Sequence, residues 1–327
     1  YLSGVVDGAG ARIMISASHN PYYDNGIKIF QKGGVKLTDD QEAAIEKNIL
    51  GENIVSQGDV GNISVISDGC KMYAGFLLDK FPFRKPAERK LKLVIDAANG
   101  AASDAAAHVF LQDVFDVTFI YNRPDGFNIN ADCGSQHTDD LSAKVKALNA
   151  DIGLAFDGDA DRLIAVDEKG CQITGDRILA ICAQHAKDMG KLKNNIVVST
   201  IMSNIGLVNA LKSLSISHEI TDVGDRRVLE RMKAVGAVVG GEDSGHMIFL
   251  DEHTTGDGML SALKLVEVMS DTGKPLSELA SVMTVYPQVL MNVEVDASRP
   301  DFRKIPMIAD AIEKVERQLG DQGRVLV

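Results

Sequence analysis

Cysteine is scarce in this chain and its copies are scattered. Cys70, Cys133, Cys171 and Cys182 include no C-x-x-C pair. That argues against a disulfide framework or a zinc site and for free thiols in a reducing cytosol. Positive charge is in deficit too: 34 Lys and Arg against 46 Asp and Glu leave a net charge of −12. Such a balance argues against nucleic acid or an anionic membrane as partner. An anionic substrate would have to be held by local Arg, Lys and helix N-termini. No apolar run approaches the ~18 residues needed to cross a bilayer. Low-complexity tracts and short-period repeats are absent. No secretory signal is visible, but the chain opens at Tyr1 rather than Met, so that absence excludes little. What remains is ordinary for a soluble globular protein: 45% hydrophobic and 24% charged residues over a length of 327. That length predicts two or three domains.

Strand-like and helix-like segments alternate, which predicts α/β layers with mixed or parallel sheets. Arg12 to Ser16 reads as a strand entering a polar loop. Thr38-Asp39-Asp40-Gln41 resembles a capping box opening a helix to about Asn48. Asn53 to Asn62 looks like a boundary, Asp68 to Phe81 like an amphipathic helix, and Lys85 to Lys90 like a charged link. A second unit has strands at Leu91–Ala97, Val117–Tyr121 and Ile152–Phe156, with helices at Gly100–Leu111 and Asp139–Ala150. A third repeats the plan. Its helices fall near Arg177–Met189, Asn204–Leu214, Arg226–Val235 and Gly258–Met269, its strands at Asn195–Thr200 and His218–Val223, and a strand-loop-strand at Val238–Leu250. A last segment predicts a strand at Val289–Val295, a helix at Ile305–Leu319 and a strand beginning at Arg324.

The stretch FDGDADR alternates Asp157, Asp159 and Asp161 and is followed at once by Arg162. Apolar residues flank it, so it reads as an acidic loop between two buried strands. Gly158 and Ala160 are small enough to let the three carboxylates converge. Two like charges about 4 Å apart repel by about 4 kcal/mol at an effective dielectric of 20, so three pairs cost on the order of 10 kcal/mol. A hard divalent ion removes that cost. An EF-hand does not fit, because the sixth position is Arg162 rather than Gly. An aspartyl-phosphate nucleophile at Asp157 and a purely structural acidic turn remain open.

In SASHNPYYDNGIK, Ser18 and His19 follow a strand and precede Asn20-Pro21, which blocks a helix. Ser18 is thus displayed on a stiff loop, with Lys28 returning on the next strand after the Asn25-Gly26 turn. It suits a nucleophile or phosphate carrier; an ST-turn in a surface loop is the plainer alternative. In GGEDSGH, Glu242, Ser244 and His246 alternate and would share one face if extended, suiting sugar hydroxyls. A polar hairpin tip explains that stretch equally. DVGDRR, with Asp225, Arg226 and Arg227 at an expected helix start, offers an anion site. HTTGDG reads as the cap of the following helix.

SASHNP with NGIK downstream, then DGDADR, then GEDSGH resembles the α-D-phosphohexomutases, in that order and over essentially the whole chain. FNINADCGSQH, Phe127 to His137, and the V-G-D-R of Asp222 to Arg227 are similar to the bacterial phosphoglucosamine mutase branch. Ala160 stands where the family usually has Gly, and Asp243 where this branch usually has Gln. The resemblance implies consecutive α/β domains with mixed sheets around a central cleft, truncated at both ends. It divides the chain into the C-terminal part of domain 1 with the phosphoserine loop (1–67), domain 2 with the metal loop (68–171), domain 3 with the sugar loop (172–287) and the start of domain 4 (288–327), without its phosphate-binding loop. It further implies a phosphorylated Ser18 and Mg²⁺ held by Asp157, Asp159, Asp161 and the phosphoserine. Ser18, His19, Lys28 and Arg162 would be catalytic, with Lys28 or His19 as the base; Asp225, Arg226, Glu242, Ser244 and His246 would bind substrate. The implied reaction interconverts glucosamine 6-phosphate and glucosamine 1-phosphate through a glucosamine 1,6-bisphosphate intermediate, feeding UDP-N-acetylglucosamine and cell-wall synthesis. A phosphosugar is then the partner, with no nucleic acid and no membrane; the oligomeric state stays open, a homodimer included.

Overall fold

The computed structural model describes residues 10–31, 36–51, 61–81, 89–111, 113–291, 293–294, 301, 304–320 and 323–327. The boundary expected at Asn53–Asn62 and the link at Lys85–Lys90 lie mostly outside them.

The first unit is a two-stranded antiparallel hairpin, β1 (Ala11–Ser16) against β2 (Gly26–Gln31). Its register sets Met14 opposite Lys28 and Ser16 opposite Gly26. Residues directly opposite share a face, so Ser16 and Lys28 are carried on the same side. Helix α1 (Asp39–Leu50) follows, and its capping box forms as expected between Thr38 and Gln41.

Helix α2 (Gly69–Lys80) leads into a five-stranded mixed sheet built from β3 (Lys92–Asp96), β4 (Asp116–Ile120), β5 (Ile152–Phe156), β6 (Leu163–Asp167) and β7 (Gln172–Ile173), in the order β4-β3-β5-β6-β7. β3 runs parallel to β4 and β5, while β6 is antiparallel to both of its neighbours. All five residues of β5, and all five of β6, are buried. Continuous apolar runs therefore sit where both sheet faces are covered. Helices α3 (Ala102–Val109) and α4 (Asp139–Leu148) supply cover; Leu141 and Val145 of α4 pack on Val94, Ala155 and Val166.

The third unit has a four-stranded mixed sheet, ordered β11-β10-β8-β9, from β8 (Ile196–Thr200), β9 (Ser217–Thr221), β10 (Val239–Gly241) and β11 (Met247–Phe249). Helices α5 (Gly175–Asp188), α6 (Ile205–Ser213), α7 (Asp225–Val235) and α8 (Gly258–Thr272) pack around it. One apolar cluster runs from Ala74 and Leu77 of α2 through β5 and β6 to Leu260 and Leu263 of α8, so the second and third units share an interior. The short α9 (Leu276–Leu279) and α10 (Pro306–Leu319) complete the α-helices among the described residues.

Two expected strands do not form among the described residues. Val289–Met291, Val293 and Glu294 carry no regular structure, and Asn292 and Val295 lie outside the described residues. Arg324 to Val327 are likewise irregular. Val289 is 82% exposed and Leu290 76%, and no described strand lies alongside to complete a ladder. No described helix is long and apolar enough to cross a membrane.

Candidate active site

The acidic loop turns between β5 and β6, and its carboxylates converge as the spacing predicts. One carboxylate oxygen of each of Asp157, Asp159 and Asp161 lies within 4.8 Å of the others. Asp157 Oδ2, Asp159 Oδ1 and Asp161 Oδ1 are buried with no hydrogen-bond partner. Partnerless buried carboxylate oxygens are costly unless a cation completes them, so this trio can hold a metal ion.

Protein cations offset part of the charge. Lys28 Nζ lies 2.5 Å from Asp159 Oδ2 and 3.3 Å from Asp161 Oδ2. Arg162 Nε is 3.9 Å from both Asp157 and Asp161. Burial alone would lower the Lys28 ammonium, but Asp161 and Asp159 outweigh it and hold its pKa above the usual value. Asp157 moves up, because it is buried and faces Asp161 and Asp159. Asp161 stays far below the carboxylate range: burial opposes this, but His246, Lys28 and Arg162 prevail.

The serine loop docks directly on the acidic loop. Gly158 N–H donates to the Ser18 carbonyl at 3.0 Å, and Ser16 Oγ donates to Asp159 Oδ2 at 2.9 Å. Ser18 itself has a left-handed backbone, φ 52°. Its Oγ is 3.5 Å from His19 Nδ1. Burial and the Arg162 charge lower the His19 pKa. Lys28, Arg12, Tyr73, Asp159, Asp161 and His253 are among the walls of a cleft of about 780 Å³.

The third motif is placed nearby, in a different form from that expected. Glu242 to Gly245 make a tight turn rather than an extended strand, with Gly245 N–H bonded to Glu242 O at 3.0 Å and Gly245 at φ 93°. Glu242, Ser244 and His246 therefore do not share one face. His246 is 4% exposed, with Nδ1 3.6 Å from Asp161 and Nε2 3.5 Å from Asp225. Glu242 accepts from Gly224 N at 3.0 Å, and Ser244 Oγ is buried without a partner. Asp225 also meets Lys36. At the expected anion site, Arg226 pairs with Glu230 and Asp39 and Arg227 lies 3.7 Å from Glu230, so both arginines at the start of α7 have acidic partners. Asp243 accepts from Asp176 N at 3.2 Å at the start of α5, a helix-capping contact. HTTGDG does cap α8, through Asp257 accepting from Leu260 N.

Sequence reasoning missed Ser16, Lys36, Tyr73 and Asn130. Ser16 and Asn130 stood inside quoted motifs and could have been found. Lys36 and Tyr73 left no local signal.

Residues 5–54, 71–170 and 174–286 match, in turn, the phosphoglucomutase/phosphomannomutase alpha/beta/alpha domain I, II and III families. The phosphoglucosamine mutase of Desulforapulum autotrophicum is 54% identical over 100% of this chain and 74% of its own length. This chain belongs to the phosphoglucosamine mutase family. It is therefore an enzyme, an isomerase that moves a phosphoryl group. The Syntrophobacter fumaroxidans family member is 51% identical over 98% of the chain and 72% of its own length. Among solved structures, a phosphoglucomutase/phosphomannomutase family protein of Burkholderia thailandensis aligns at TM-score 0.71 and 26% identity, over 86% of this chain and 59% of that one. Aspergillus fumigatus N-acetylphosphoglucosamine mutase, solved with GlcNAc-6P and magnesium, aligns at 0.71 and 18% identity, over 97% of this chain and 82% of that one. The latter supports the consecutive α/β fold.

Proposed function

We propose that this mutase interconverts glucosamine 6-phosphate and glucosamine 1-phosphate through a phosphorylated Ser18 and glucosamine 1,6-bisphosphate. The observation behind this reading is the docking of the Ser18 loop on the three-aspartate loop, through the Gly158–Ser18 hydrogen bond of 3.0 Å. Asp157, Asp159 and Asp161 would hold Mg²⁺, an ion that favours carboxylates combined with phosphate oxygens. When bound, the ion supplies charge neutralisation at the transferring phosphoryl group.

His19, with Nδ1 3.5 Å from Ser18 Oγ, takes the proton that the attacking sugar hydroxyl releases and delivers it to the Ser18 oxygen as the phosphoryl group departs; on the way back it carries a proton from Ser18 Oγ to the sugar oxygen. Lys28, held protonated by two carboxylates, serves as a fixed cation rather than a base. Arg162 stabilises the equatorial phosphoryl oxygens. Glu242 and Ser244 orient the sugar. Asp225 and His246 support Asp161 from behind. An aspartyl-phosphate route through Asp157 is disfavoured, because that carboxyl is 1% exposed and accepts from Arg162 N at 3.1 Å. Four free cysteines suit a cytoplasmic enzyme.

The test is Ser18→Ala in the complete protein. Turnover is expected to vanish, and the labelled phosphate of the parent to map to Ser18. Unchanged turnover, or label on Asp157, would overturn the reading.

A further inference from the structure

We propose that Asn130 is a positioning residue whose side-chain amide clamps the Ser18 loop onto the acidic loop and fixes the backbone from which Ser18 works. The proposal rests on the phosphoserine reading above.

The Asn130 Nδ2 group donates to two main-chain carbonyls of the serine loop, Ser18 O and Asn20 O, both at 2.8 Å. Both hydrogens of the amide are thereby used, and they bracket His19. Ser18 O also receives Gly158 N–H at 3.0 Å. One carbonyl is thus gripped by a donor from the acidic loop and another from the segment after β4. Ser18 needs such a grip, since φ 52° is disfavoured for a residue with a β-carbon. Left free, the loop would relax and carry Oγ away from the aspartates.

The arm that holds Asn130 is itself anchored. Asn130 N–H donates to Ala98 O at 2.9 Å. Ala98 N and Gly134 N donate to opposite oxygens of Asp96, each at 2.9 Å, and Asp96 is fully buried at the end of β3. Asn130 adopts φ 56°, a state that Asn tolerates better than most residues. A second, independent observation is the space at Gly158. A β-carbon there would stand 2.4 Å from Ser18 O and 2.8 Å from Asn130 Nδ2. The glycine in FDGDADR is required because the clamp closes over it. FNINADCGSQH, until now only a signature of the branch, thereby gains a mechanical role.

The test uses Asn130→Asp and Asn130→Ala in the complete protein with Mg²⁺. Asp keeps the side chain's size but turns oxygen toward both carbonyls; Ala removes the group. Both should lose kcat by about 10- to 100-fold with KM for glucosamine 6-phosphate within about twofold, since only the reacting group is displaced. Asp should lose at least as much as Ala, an order that a packing role would reverse. Hydrogen exchange at the Gly158 amide should accelerate about tenfold or more, and this readout needs neither metal nor substrate. Parental kcat in Asn130→Asp, or parental exchange at Gly158, overturns the proposal. Should the Asp variant fail to fold, Asn130→Ser decides: reduced kcat at unchanged KM supports the clamp, and parental kcat overturns it. Ser18→Ala, run in parallel, keeps the two ideas apart. Activity in Ser18→Ala defeats the phosphoserine reading itself. A dead Ser18→Ala beside fully active Asn130 variants removes the clamp alone.

Discussion

Asp157→Asn is expected to stabilise the metal-free protein and at the same time abolish its response to divalent ions. Burial, together with Asp161 and Asp159, pushes the Asp157 carboxyl up to about 8, whereas an unfolded chain's aspartate titrates near ~3.9. Between those values the folded protein binds a proton that the unfolded chain has lost. Stability is therefore full below about pH 4 and declines as pH rises toward about 8. At pH 7 the gap is about three pH units, or roughly 4 kcal/mol; loop relaxation and water entry reduce it to about 2 kcal/mol. Asn keeps an oxygen for Arg162 N, now 3.1 Å from Oδ1, and replaces the partnerless Oδ2 with a donor that Asp159 or Asp161 can accept. About 2 kcal/mol corresponds to roughly 4–8 °C in Tm for a domain of about 150–250 residues. Thermal melts in EDTA and in Mg²⁺ from pH 5 to 8 read this directly. The parent should weaken with rising pH in EDTA and recover with Mg²⁺, while the variant should be flat and indifferent to the ion. A lower Tm for the variant in EDTA at pH 7, or a retained Mg²⁺ shift, would refute the picture of mutually repelling carboxylates held for a cation.

Three further outcomes are expected. His218, 2.8 Å from Ser199 Oγ, is lowered to about 4 by burial and by Arg324; the unfolded chain binds the extra proton between that value and ~6.5, so stability falls as pH drops through this window. With Mg²⁺ present, urea titrations should show up to about 3 kcal/mol of this loss in the parent and little in His218→Gln. Gly175→Ala would place a β-carbon 2.2 Å from Glu242 O and 2.7 Å from Gly245 N, displacing the turn proposed to hold the sugar; KM should rise about tenfold, and an unchanged KM would show that the turn does not contact substrate. Asp243→Gln should leave the preference among glucosamine, glucose and mannose phosphates unaltered, because Asp243 faces the start of α5; a switched preference in competition assays would contradict that placement.

The acidic loop was legible because its cause is local: apolar runs fix β5 and β6, and small residues between them leave the carboxylates one way to turn. The capping box at Thr38 and the turn after Ser18 were legible for the same reason. The Glu242–His246 geometry was not, since alternation predicts one face only for extended backbone, and Gly245 bends the segment to meet Leu163. Nor was the fate of Arg226, which depends on Asp39, far away in sequence. The two missing strands near Val289 and Arg324 have strand-like composition, but a strand exists only with a neighbour, and composition cannot supply one. Asn130 was visible as part of a pattern, and only the fold reveals which carbonyls it reaches.

The turn at Glu242–His246 is sewn to the start of β6. Arg162 pairs with His246, Leu163 N donates to Gly245 O at 3.0 Å, and Gly258 N donates to Ala160 O at 2.9 Å. A β-carbon on Gly245 would strike Leu163 O at 2.3 Å. The turn proposed to hold the sugar and the loop proposed to hold the metal thus ride on a single chassis. An insertion in the turn would pull on the start of β6 beside Asp161, so a turn transplanted from a relative would have to arrive with its own aspartates.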